Sequence, residues 1–113
     1  MTYCVGIDIA KYEHVVSILD SLTGELIVDS LHFDNSLKGF NILLSNLSKL
    51  NKDDVIIGFE STAHYHQALF NYLSKNQYKC YLINPLMISR FRSISLRDSK
   101  NDNIDSIIMQ ELK

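Results

Sequence analysis

Four carboxylates carry most of the chemical interest of this chain. Asp8 interrupts the apolar run YCVGIDI at 3–9, Glu60 closes the apolar run DVIIGFE at 54–60, and Asp102 and Asp105 lie three apart in SKNDNIDSIIM at 99–109. An acid flanked by Gly6, Ile7 and Ile9 costs several kcal/mol to bury without a partner. Residues three apart on a helix share a face, so Asp102 and Asp105 can converge on a cation. Four carboxylates gathered at one place repel and push one another's pKa upward, and hard divalent cations with oxygen ligands, Mg²⁺ or Mn²⁺ in its place, relieve that repulsion. Two such ions about 4 Å apart can activate a water or hydroxyl and stabilise the leaving oxygen of an in-line phosphoryl displacement. Plainer roles compete. Asp8 can be capped by backbone N–H groups or by Lys11, while Asp102 and Asp105 can be first-turn acids behind an Asn101 N-cap.

The elements that would bring these acids together are legible in outline. YCVGIDI, HVVSILD at 14–20 and, past the turn at Gly24, ELIVDSLHF at 25–33 read as three antiparallel strands joined by short turns. NSLKGFNILLSNLSKL follows, with Leu37, Phe40, Leu44 and Leu47 at helical spacing. DVIIGFE reads as a parallel strand covered on both faces. A second helix is expected on Tyr65, Leu69 and Leu73, and a strand at YKCYLIN, 78–84. Asn84 and Pro85 suit the N-cap and first position of a short third helix. A fourth helix is expected on Ile104, Ile107, Ile108 and Leu112, with Asp105 beside its apolar face. The order β-β-β-α-β-α-β-α, with right-handed crossovers, sets the first strand centrally beside the fourth. That is an α/β, ribonuclease H-like arrangement: a mixed five-stranded sheet with helices on both faces. Asp8 and Glu60 then fall on neighbouring strands, and open α/β sheets carry their sites at the carboxyl edge.

A chain of 113 residues, 46% hydrophobic, with one proline and four glycines fits one globular domain spanning 1–113. It stops at Lys113 inside the last helix pattern without a cap, which reads as a fragment of a longer protein. No apolar stretch reaches the roughly 20 residues of a membrane span, and the N-terminus lacks the layout of a signal peptide, so a cytoplasmic location is expected. Cys4 and Cys80 sit in strand-like runs without C-x-x-C spacing, which favours buried free thiols over zinc or a disulfide framework.

A net charge of −2 does not advertise a nucleic-acid partner. The average conceals RFRSISLRDSK at 90–100, where Arg90, Arg92, Arg97 and Lys100 face one acid, Asp98. A phosphate backbone would suit that stretch, as would exposure as a solvated loop. Asp98 itself lies four before Asp102 and would replace it as a ligand if the last helix began earlier. His64 and His66 do not face one another on a helix, and zinc there would need further ligands. Tyr65 is expected on the core side of its helix, the alternative being a place lining the site.

The segments GIDIAKYEH at 6–14, GFESTAHY at 58–65, NP at 84–85 and KNDNIDS at 100–106 together resemble the DEDD transposases of bacterial insertion sequences, the insertion-sequence 110 class that includes the Piv-type DNA invertases. Their order and spacing must all agree, which makes the combination specific where each alone is weak. The resemblance implies a RuvC-like fold and an acidic tetrad of Asp8, Glu60, Asp102 and Asp105 binding Mg²⁺ and acting on DNA in transposition. It also implies contacts to phosphate from Lys11 and His14, for which strand packing is the alternative. A C-terminal domain with a serine nucleophile, absent here, a bridge RNA and homo-oligomeric action are implied for the full protein. The chain departs from the family pattern at Ala10, Ala63, Asn101 and Ser106; Ala63 matters most if that position needs positive φ, where alanine is strained and glycine is not. Two other readings remain: a stand-alone RuvC-like junction nuclease, and a non-catalytic nucleic-acid-binding or oligomerisation module with structural acids. An actin-like ATPase also opens on a G-I-D strand but follows it with a glycine-rich phosphate turn, where this chain has Ala10, Lys11 and Tyr12.

Overall fold

The computed structural model describes residues 2–60, 65–83 and 108–111. Strands β1 (Tyr3–Asp8), β2 (Glu13–Asp20) and β3 (Leu26–Asp34) form the antiparallel entry, followed by helix α1 (Leu37–Leu47), a 3-10 turn (Lys52–Asp54), β4 (Val55–Glu60), α2 (Gln67–Lys75), β5 (Cys80–Ile83) and β6 (Ile108–Glu111). The sheet order is β3-β2-β1-β4-β5-β6, with β1–β4 and β4–β5 parallel. This is the expected ribonuclease H-like α/β sheet, whose five predicted strands are all present and which gains a sixth.

Local chemistry accounts for the joints. Between β2 and β3, the Asp20 carboxylate accepts from Leu22 N–H at 2.9 Å, and Gly24 closes the turn at φ 76°, a left-handed conformation that glycine adopts without strain. Ser36 caps α1, its hydroxyl accepting from Gly39 N–H at 3.3 Å. The buried stripe of α1 runs through Phe40, Leu43 and Leu47, whereas Leu37, expected on it, is 65% exposed. Gly39 lies against the β3 end: a Cβ there would come within 2.6 Å of Asp34 N.

Side chains alternate across the sheet. Val5 and Ile7 of β1, Val16 and Ile18 of β2, and Ile57 and Phe59 of β4 share one core cluster with Phe40, Leu43 and Leu47 of α1 and Leu69 and Leu73 of α2. Both described helices therefore cover the same face; the third helix expected at 85–93 lies outside the described residues. Cys4 and Cys80 are buried free thiols, as expected, and burial pushes the Cys80 thiol up to about 12.

Two expectations need correction. Tyr65 precedes α2 and is 43% exposed, so it is not a core residue of that helix. The helix expected near the C-terminus is not present at 108–111, where the chain instead pairs antiparallel with β5. A short apolar run such as IIM satisfies either period, and an unpaired β5 edge supplies hydrogen-bond partners that decide for the strand.

Candidate metal-binding edge

Asp8 ends β1 and Glu60 ends β4, and the parallel register sets them directly opposite one another. Opposed residues of adjacent strands point to the same side, about 5 Å apart at the backbone. That side is the one without Ile7 and Phe59, which face the helices. The ladder is carried one residue further by Ile9 N–H donating to the Glu60 carbonyl at 3.0 Å. Asp8 is exposed and Glu60 partly so. The burial cost that makes an apolar-run aspartate suspicious is thus avoided by placing it at the last position of its strand. Lys11, on the turn after Asp8, has its Nζ 5.1 Å from the centre of the Tyr12 ring.

Two carboxylates on one side of a sheet edge repel, and a hard cation is the natural counter-charge. Their oxygen donors fit Mg²⁺ or Mn²⁺, which fill remaining positions with water. Among the described residues no group of three or more His, Cys, Asp or Glu side chains is close enough to hold a metal ion. Asp98, Asp102 and Asp105, with Arg90, Arg92, Arg97, Lys100 and His64, lie outside the described residues. The fold nevertheless constrains the chain around them: Ile83 pairs with Glu60 on one side and with Ile108 on the other. Ile83 and Ile108 therefore both stand at the carboxyl edge that carries Asp8 and Glu60.

The turn that follows Asp8 is held at three points. Ala10 N–H donates to His14 Nδ1 at 3.2 Å, Asn35 Nδ2 donates to the Lys11 carbonyl at 3.0 Å, and Asn35 N–H donates to the Tyr12 carbonyl at 2.9 Å. His14 is fully buried, edge-on to Phe33 at 5.4 Å and parallel to Phe40 at 6.5 Å. This is the strand-packing placement of His14, with no accessible surface for a phosphate. Burial lowers its pKa below 6.5, partly offset by the Asn35 side chain and the Asp8 carboxylate. With Nδ1 accepting, the neutral ring carries its proton on Nε2. Lys11 is exposed on the turn, where a phosphate can reach it.

Sequence reasoning missed Asn35 and Tyr12. Asn35 acts across 24 positions of chain, and no local pattern announces such a contact. Tyr12 had a signal, a large aromatic in a turn where small polar residues are usual.

A cavity of about 370 Å³ is lined by Lys52, Asp53, Tyr78, Lys79 and Tyr81 at the start of β4 and β5. It lies at the opposite edge from Asp8 and Glu60. In comparison with known proteins, the family model for DEDD transposases of the insertion-sequence 110 class, described as Transposase, matches residues 5–112. No curated protein matches the chain.

Proposed function

The chain belongs to the DEDD transposase family of the insertion-sequence 110 class, and from that premise we propose that it is the N-terminal catalytic domain of a transposase or site-specific recombinase, in which Asp8, Glu60, Asp102 and Asp105 hold divalent metal for phosphoryl transfer on DNA. The observation that carries the reading is the register of β1 and β4, which sets Asp8 opposite Glu60 at the carboxyl edge. Further support comes from the pairing of Ile83 with Ile108, which tethers both ends of the segment bearing Asp102 and Asp105 to that edge.

Asp8 and Glu60 supply the first ligands, and Asp102 and Asp105 complete the set. Bound there, Mg²⁺ supplies Lewis-acid activation of a water or hydroxyl and stabilises the leaving oxygen. Lys11, on the turn after Asp8, attracts the scissile phosphate, and Arg90, Arg92, Arg97 and Lys100 hold the flanking backbone as phosphate contacts that position without reading sequence. The C-terminal serine-bearing domain, the bridge RNA and the homo-oligomer belong to the proposal for the full protein, and the present chain is expected not to recombine DNA unaided.

Calorimetric Mn²⁺ titration of this chain, with Asp8→Asn and Asp105→Asn beside the wild type, tests the shared site. Saturable binding weakened by both substitutions is the expected result. In the full-length protein Asp8→Asn should abolish metal-dependent strand cleavage while leaving the thermal unfolding midpoint nearly unchanged; retained cleavage would sink the assignment and favour a module with structural acids.

A further inference from the structure

We infer that Tyr12 is a stacking platform for an unpaired nucleobase beside the acidic edge. The inference rests on the proposed nucleic-acid function of that edge and adds to it a specific ligand group and residue.

Tyr12 is 76% exposed, the most exposed large apolar side chain among the described residues. Scattered surface aromatics are common and need no explanation by themselves. Tyr12 differs in how it is held. The turn that carries it is fixed by donors to the Lys11 and Tyr12 carbonyls from Asn35 and by the bond from Ala10 to the buried His14. A ring on a fixed turn loses little freedom when a flat ligand settles on it. Packing does not account for such rigidity, because the ring itself is in water.

Its neighbours match one kind of ligand. Lys11 Nζ stands 5.1 Å from the ring centre, so an aromatic face and an ammonium are presented together. Single-stranded nucleic acid has that combination of needs, a base to stack and a phosphate to neutralise. The turn begins at Ile9, next to Asp8 in sequence, whose N–H is bonded to the Glu60 carbonyl, and Tyr12 follows Asp8 by four residues. A nucleotide stacked on Tyr12 therefore has its backbone on the same edge as both acids. Bases inside a duplex offer no free face, so the ligand is a single strand or a base displaced from its stack.

The chain contains no tryptophan, so Tyr12→Trp introduces a lone fluorophore at this position. The 113-residue chain is titrated, without divalent metal, with a dye-labelled single-stranded oligodeoxynucleotide and with the matching duplex. Anisotropy of the dye reports DNA binding, and tryptophan emission reports stacking. The expected result is quenching by the single strand along the anisotropy isotherm, with much weaker quenching by the duplex. Tyr12→Ala should bind the single strand on the order of tenfold more weakly, and Tyr12→Phe within about twofold of wild type. Binding by anisotropy with unchanged emission, equal quenching by duplex, or equal affinity of the Ala and Phe variants would overturn the stacking role alone. Absence of any anisotropy change would overturn it together with the nucleic-acid reading of the edge.

Discussion

A buried imidazole near a carboxylate proposed to hold metal invites a chemical role, but His14 has a mechanical one: its Nδ1 takes the Ala10 N–H and its ring packs against Phe33 and Phe40. The consequence is a pH dependence of folding. The folded pKa is lowered, mainly by burial, so the unfolded chain takes up a proton first as pH falls through about 6.5. The stability contributed by the neutral ring is complete above that value, declines below it, and stops declining once pH passes the folded pKa. Urea midpoints measured from about pH 8 to pH 5 should fall more steeply for wild type than for His14→Gln, and parallel curves would contradict this account. At this scale the sequence disclosed Asp8 and Glu60, because a charge within or ending an apolar strand pattern stands out against the cost of burying it. It disclosed His14 only as a choice between packing and phosphate, since alternation places a side chain on a face without saying what covers it. Asn35 was invisible for a related reason: its two bonds to the turn at 10–12 exist only after β3 has folded back along β2.

Among the elements, α1 shows a glycine that contradicts helix propensity. Gly39→Ala in a helix interior normally stabilises by about 1 kcal/mol. Here the added methyl group would meet the Asp34 backbone, with its nitrogen at 2.6 Å, and backbone cannot yield as a flexible side chain does. A net loss of about 1–3 kcal/mol is expected from denaturant unfolding, and a gain would show that α1 can lift from β3 without penalty. The helix was found in the sequence at its correct place, with its stripe expected on Leu37, Phe40, Leu44 and Leu47; Phe40 and Leu47 are buried and Leu44 packs against the core, while Leu37 is exposed and Leu43, not expected, is buried. Periodicity alone accepts either face. Strands 1–5 were legible because each is a short β-rich apolar run, bounded by a polar turn or by a stretch of helical period. The last element was misread because an Ile-Ile-Met run is too short for its period to decide, and the deciding partner, the β5 edge, lies some twenty-five residues earlier in the chain.

For the molecule as a whole, Asp8 and Glu60 stand at one sheet edge, while Lys52 and Lys79, together with Asp53, line a cavity at the other. The proposed DNA contacts come from Arg90 to Lys100 instead, which makes the salt dependence diagnostic. Replacing Arg92 and Arg97 together by alanine should reduce the slope of log affinity for duplex DNA against log salt by about 2, whereas Lys52→Ala with Lys79→Ala should leave it unchanged. The reverse pattern would move the DNA to the cavity edge. Finally, the pairing of Ile83 with Ile108 brings two residues twenty-five apart in the chain to one strand spacing of each other. Ends held that close can be bridged by a short loop, so replacing residues 84–107 by one is expected to leave the pairing of the other strands intact, as amide hydrogen exchange would report. On the proposed reading, Asp8 and Glu60 stay with the sheet, while Asp102, Asp105 and the basic residues from Arg90 to Lys100 travel with that segment.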